Sequence, residues 1–347
     1  MSAAAVELID PETADAAIEE AVVETPVEIT STNPSLNHKN ILNLIACEYF
    51  VTSWLLFLIN SDASLQLTNA TIHRTDVLNI TLVYGIGNAG WIGTPDNGEL
   101  SRKYQTLVTP ASTAFAIWGL IFVSQAIFAL CQLLPRFRAS AMVQEGVWYW
   151  YASVAATQIG WTFTFAFELM TVSLVLILLI WLSLVTILYK QYYAKSDGTI
   201  LEFWILRFPF SVHAGWITAA SALNVNVLVV SLLQPAYVQL AVAIVSLAVL
   251  HAVSLWVVFF LTRPNWTIAC VLAWAFGYIY VELNVNSSRV IDTFGADIII
   301  GVKYAAISVV AIIGIQMGVR LALLLHPSYN PYKKTAVVAD ESEEDKE

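Results

Sequence analysis

Apolar residues in this chain fall into runs of around twenty positions, separated by short clusters of Pro, Gly, Asn, Asp and ionisable residues. A hydrocarbon core roughly 30 Å thick needs about 20 apolar residues in helix, because a backbone surrounded by lipid must satisfy its hydrogen bonds internally. Eight stretches meet that requirement: 41–60, 108–134, 147–167, 170–193, 208–233, 238–262, 266–284 and 298–325. The pattern predicts an all-α fold, a polytopic transmembrane helical bundle of about eight spans. The third and fourth stretches are separated only at Glu168-Leu169-Met170, which predicts a tight helical hairpin. A further stretch, 77–93, is shorter and is interrupted by Gly85, Gly87, Asn88 and Gly90, so its helix propensity is low. It is expected as a re-entrant or interfacial segment beneath a long 61–107 loop, and counting it as a span raises the total to nine.

Composition agrees with this division. The chain is 58% apolar and only 12% charged, about half the charge of a typical soluble domain. The net charge of −10 belongs to the ends: residues 1–36 hold eight acids and no Lys or Arg, and residues 335–347 hold six acids against Lys346. The body between them is slightly basic, which gives no support for nucleic-acid binding, and the acidic tails are expected to be disordered. The Lys/Arg asymmetry of the loops places both tails on the cytoplasmic side. The sequons at Asn69, Asn79 and Asn286 then face the opposite compartment, as in a glycoprotein of an endomembrane or the plasma membrane rather than an organelle. Cys47, Cys131 and Cys270 all lie in apolar runs without metal or redox spacing and read as small core residues.

Candidate chemistry is sparse. Gly85-Ile86-Gly87-Asn88-Ala89-Gly90 matches a dinucleotide fingerprint in letters but lacks the following helix, the downstream acid and any βαβ alternation. Among ionisable groups in spans, Glu48 and His251 lie well inside, whereas His213, Glu282 and Lys303 lie within about two turns of a predicted helix end, where a side chain can reach the interface. They are scattered rather than aligned, and His251 reads as an interhelical hydrogen-bonding group. Gly314 and Gly318 form a G-x-x-x-G, which allows close helix approach within the monomer or in a homodimer. No nucleophile, base and orienting acid occur at a recognisable spacing, so the chain reads as a non-enzyme that requires no cofactor or metal. Twelve tryptophans are present, and Trp118, Trp161, Trp181, Trp216, Trp256 and Trp274 lie inside spans rather than only in interfacial belts. Buried indoles offer a flat apolar face and one N–H donor, which suits a planar hydrophobic ligand.

The block Thr109-Pro110-Ala111 with Phe115, Trp118, Gly119 and Phe122, then Gln158-x-x-Trp161 with Phe165, then Trp216-x-x-x-Ala220-x-x-Leu223-Asn224 resembles, in order, helices two, three and five of the tryptophan-rich sensory protein or translocator protein (TspO) family. The resemblance implies a five-helix core binding a porphyrin or a sterol-like lipid beneath the loop after its first helix. It also implies ligand contacts at Phe115, Trp118, Gln158, Trp161, Trp216 and Asn224. Departures from the family pattern are Gln158 in place of an Asn, Pro209 one turn early, and a stretch from Val225 to Leu233 that is aliphatic apart from Asn226 and Ser231, where a sterol-contact motif usually continues. The tetrapyrrole is therefore favoured over the sterol.

These readings divide the chain into an acidic tail (1–40), a TspO-like core (41–234), three additional helices (235–326) and a second acidic tail (327–347). The expected function is an integral membrane receptor or carrier for a planar hydrophobic ligand, with membrane lipid as its other partner. Transport of a small solute, or a structural role in a membrane complex, are the alternatives.

Overall fold

The computed structural model describes residues 94–326, apart from 96, 133, 148, 286 and 287. The predicted 41–60 span, the 77–93 segment, Cys47, Glu48, the sequons at Asn69, Asn79 and Asn286, and both acidic tails lie outside the described residues.

Among the described residues every regular element is helical. A short helix, Asn97–Lys103, precedes a 3-10 turn, Ser112–Ala116, that runs into α1 (Ile117–Cys131). A π-turn at Met142–Val147 precedes α2 (Trp150–Ala166), and α3 (Met170–Tyr193) follows almost at once. Residues Ile200–Glu202 and a π-turn at Phe203–Arg207 lead without a break into α4 (Phe208–Ser231). Then come α5 (Ala236–Phe259), α6 (Trp266–Glu282), a short helix at Ser288–Phe294, and α7 (Ala296–Leu325). Each predicted span from 108 onward is thus a helix in its predicted place. Five helices are long and apolar enough to cross a membrane: Ser112–Cys131, Met170–Tyr193, Ile200–Ser231, Ala236–Phe259 and Ala296–Leu325. The helices α2 and α6, at 17 residues each, are about 26 Å long. In α2 the hydroxyls of Thr157, Thr162 and Thr164 donate to carbonyls one turn back, which satisfies them without water.

Two helix starts show why the chain folds where it does. Thr199 accepts from the Glu202 N–H through its side chain, so helix begins at Ile200, eight residues before the run of apolar sequence predicted it. That extension moves His213 from near the helix end into its interior, correcting the expectation that its ring reaches the interface. Asn265 caps α6 by accepting from Ile268 N–H, and its amide donates to Ser211 on α4.

Two helix ends use the same device. The chain leaves α2 through Glu168 (φ 57°) and leaves α4 through Leu233 (φ 52°), both in the left-handed region. In each case the paired back-bonds are those of a Schellman closure: Glu168 N–H to Phe165 and Leu169 N–H to Thr164, then Leu233 N–H to Val230 and Gln234 N–H to Val229. Glycine ordinarily occupies that position because a Cβ is unfavourable there.

The helix α4 is the hub, packing against α1, α3, α5 and α6, while α2 packs on α3 and α7 on α5 and α6. One buried cluster joins α1 to α4 through Phe128, Tyr151, Ile180, Leu184, Phe210 and Ile217. A second joins α4 to α7 through residues including Leu250, Val258, Leu272, Phe276 and Ala306. Gly215 lets the α4 and α6 backbones approach, since a Cβ there would meet Val271 Cβ at 2.9 Å. By contrast a Cβ at Gly314 or Gly318 would meet nothing within 4 Å, so the G-x-x-x-G of α7 makes no helix contact among the described residues.

Candidate functional site

The residues singled out by sequence fall into three groups. On α4, Trp216 is buried and meets edge-on the rings of Phe115, from the 3-10 turn, and Trp118, from α1, at centroid separations of 5.4 and 6.4 Å. Trp118 also stacks on Phe122 and touches the His213 ring edge-on at 5.6 Å. On α2, Gln158, Trp161 and Phe165 share one face by their spacing, and Trp161 stacks on Phe165 at 5.2 Å. On α4, the Asn224 carbonyl oxygen accepts from Ser173 of α3 at 3.3 Å. The fold therefore brings Phe115, Trp118 and Trp216 together. Trp161 shares no ring contact with Trp118 or Trp216, although Trp118 and Trp161 pack against the same buried cluster.

The polar atoms of these groups are unevenly satisfied. Trp181 and Trp274 spend their N–H groups within the protein, donating to Thr218 Oγ1 and to the Ala114 carbonyl. Trp161 Nε1 and Gln158 Oε1 are buried without a hydrogen-bond partner, as is Ser221 Oγ one turn from Asn224. Buried polar atoms ordinarily find partners, and an unpaired one costs about 1–3 kcal/mol.

Sequence reasoning missed two polar contacts. Gln125 on α1 bonds the His213 ring at 2.9 Å, with both side chains fully buried. A Gln inside an apolar run was the available signal, but only the antiparallel register of α1 and α4 identifies its partner. The second contact is a strap. Residues 97–111 run across one end of the bundle, with Leu100 packed on Met170 and Val227, and Leu107 and Val108 in the α5–α7 cluster. Lys103 and Tyr104 both donate to the Glu168 carboxylate, Gln105 donates to Glu282 at 2.8 Å, and Ala111 N–H donates to Tyr278. Glu168 thus accepts a left-handed backbone at the α2–α3 turn and provides the acceptor that holds the strap.

The donors on Lys103 and then Tyr104 hold the Glu168 carboxyl below the usual carboxylate range, and the same bond raises Lys103. A depressed carboxylate stabilises the fold above its ordinary pKa, and that contribution is lost as pH falls through the folded value. A raised lysine contributes below its ordinary pKa, and its contribution is lost as pH rises through the folded value. The strap is therefore expected to stay fastened across neutral pH and to loosen at the acid side. Amide hydrogen exchange over 97–105 should accelerate as pH is lowered through the Glu168 titration, after correction for intrinsic exchange. Glu168→Gln should remove that acid step, and an unchanged step in the variant would assign it elsewhere.

At the opposite end, Asp197 accepts the Thr199 N–H and hydroxyl, which hold its carboxyl down to about 2, and Arg136 lies 3.6 Å away. Among the described residues no group of His, Cys, Asp and Glu could hold a metal ion. His213 is sealed from solvent.

A family model described as TSPO-like protein matches residues 71–319. No curated protein and no solved structure matches the chain.

Proposed function

This chain belongs to the TSPO-like protein family and is a membrane protein of the TspO type, and from that premise we propose that it is a receptor or carrier for a planar hydrophobic ligand, a tetrapyrrole before a sterol-like lipid. The observation that supports this reading is the α2 face: a partnerless indole N–H and a partnerless amide oxygen on Trp161 and Gln158, beside an aromatic stack. A tetrapyrrole supplies a flat π-face for the indole and ring or propionate atoms for the two polar groups. The aromatic trio Phe115, Trp118 and Trp216 forms a packed wall rather than an open slot, and Asn224 and Ser221 bring further polar atoms from α4. The reading extends to a five-helix core over 41–234, with three added helices over 235–326.

The test is tryptophan-fluorescence quenching of the detergent-solubilised full chain by protoporphyrin, with cholesterol as competitor. Saturable quenching is expected. Gln158→Leu removes one hydrogen bond and Trp161→Phe removes the N–H donor, and each should weaken binding about tenfold. Trp256→Phe, on an exposed face of α5, should leave affinity unchanged. Quenching that rises linearly with porphyrin, or that is the same in all three variants, would sink the assignment.

A further inference from the structure

We infer that the α5–α7 part of the bundle holds an anionic phospholipid, with its phosphate at Arg320 and Arg263 and one acyl chain along the seam between α5 and α7. Arg320 lies inside α7, five residues before that helix ends at Leu325. No carboxylate pairs with it among the described residues. Its Nη2 donates to the Leu261 carbonyl at 3.3 Å, which ties α7 to the loop after α5. Its Nε is enclosed without a partner, while Nη1 stays at the surface and makes no bond. Arg263 is exposed two residues further along the same loop. Asp197 and Glu202, which could have neutralised a cation at this end of the bundle, are engaged by Arg136 and Arg207.

The depth of Arg320 suits a phosphate. Residues 304–319 of α7 carry no charged side chain, and the rise from Lys303 to Arg320 is about 26 Å, close to the roughly 30 Å of a hydrocarbon core. The two cations of α7 therefore stand at the two faces of that core, where lipid phosphates lie. A guanidinium at this level is costly without a counter-ion. A phosphate supplies the charge and accepts the outer N–H groups, and Arg263 adds a second cation from the loop.

Spacing aligns Arg320 with an apolar cleft. Ala305, Val309, Ile312, Gln316 and Arg320 recur every three or four residues and so share one face of α7. A cleft of about 290 Å³ opens on that face between α5, α6 and α7, lined by Leu247, Ala248, Phe276, Ala305, Ala306 and Val309. Its polar member, His251, is bonded to Gln316 at 3.4 Å. Ala248 and Ala305 are exposed at its edge, so the cleft opens sideways, toward lipid when the bundle is in a membrane. The rise from Val309 to Arg320 is about 16 Å, half of a roughly 30 Å hydrocarbon core and thus the depth of one leaflet. A chain whose phosphate rests at Arg320 therefore ends in the cleft. A neutral lipid would fill the cleft but leave the guanidinium unpaired, and a soluble phosphate would do the reverse. An anionic phospholipid satisfies both.

The probe is phosphatidylglycerol with a diazirine near the end of one acyl chain. The full-length protein is reconstituted in phosphatidylcholine nanodiscs, and labelled positions are mapped by mass spectrometry. Saturable labelling of 247–251 and 305–312 is expected, and the same chain on phosphatidylcholine should label about tenfold less. Arg320→Gln should lower phosphatidylglycerol labelling about tenfold, to the phosphatidylcholine level, while circular dichroism shows unchanged helix content. Arg320→Lys should keep part of the preference, because it keeps the charge and loses the planar fork. Ala248→Phe should block labelling by both probes, and it tests the chain end of the site even where loss of Arg320 disturbs packing. Glycerol 3-phosphate in solution should not compete. Labelling that spreads without saturation over the lipid-facing helices, equal labelling by the two probes, a preference unchanged in Arg320→Gln, or full competition by glycerol 3-phosphate would overturn the assignment. The site is separate from the α2 face, so its failure leaves the porphyrin reading untouched.

Discussion

Replacing Gly215 with leucine is expected to force α4 and α6 apart and to destabilise the bundle by about 3 kcal/mol or more, at the upper end of measured overpacking costs. A Cβ at this position would sit 2.9 Å from Val271 Cβ, 3.1 Å from its Cγ1 and 3.3 Å from the Cα of Ile268. The last of these is backbone and cannot rotate away, so relief requires moving a helix. Because α4 packs on four other helices, moving it disturbs contacts on both sides of the hub. Unfolding titrated with SDS and followed by circular dichroism measures the loss. Gly301→Leu is the control, since nothing lies within 4 Å of its Cβ position, and its effect should stay within about 0.5 kcal/mol. In the milder Gly215→Ala background, Val271→Ala should recover part of the loss, with a coupling energy of about 1 kcal/mol. Equal stability of Gly215→Leu and wild type would mean that α4 and α6 do not meet here.

The second large effect is expected at Phe210. Its ring meets Phe128 at 4.9 Å and Tyr151 at 5.5 Å, and those two meet each other at 5.8 Å, all edge-to-face. The three side chains are fully buried and come from α1, α2 and α4. Between helices in lipid there is no hydrophobic gain from association, so close packing and ring geometry carry the attraction. Phe210→Ala removes both contacts and leaves a cavity, which should cost about 3–5 kcal/mol in the same titration. Tyr151→Ala in that background should add less than it does alone, because the contact it would lose is already gone. Strict additivity would show that the rings do not act as a unit.

The helical class and the positions of the helices from 108 onward were legible from apolar run length, because lipid permits few alternatives to helix for a spanning backbone. The α2–α3 hairpin was legible from three residues, since Glu168-Leu169-Met170 leaves room for nothing longer than a turn. The role of Glu168 was not, because a carboxylate beside a turn looks solvated until Lys103 and Tyr104 are brought to it from 65 and 64 positions away. His213 was misplaced for a local reason: the Thr199 cap starts the helix earlier than hydropathy does, and hydropathy does not register capping. The aromatic residues carrying the family pattern were all legible, and the fold sorted them by neighbours, with Trp216 enclosed between Phe115 and Trp118 and Trp161 keeping a free N–H. His251 was legible as an interhelical group, but its partner and the cleft beside it were not.

The sequence by itself determined that this is a helical membrane protein of the TspO type, because length and polarity of apolar runs, and the spacing of a few aromatic residues along single helices, are local properties. Tertiary structure decided which polar atoms found partners and which did not. Satisfaction of a buried donor depends on the register between helices distant in the chain, and a change of one turn, about 5.4 Å, breaks or makes that bond.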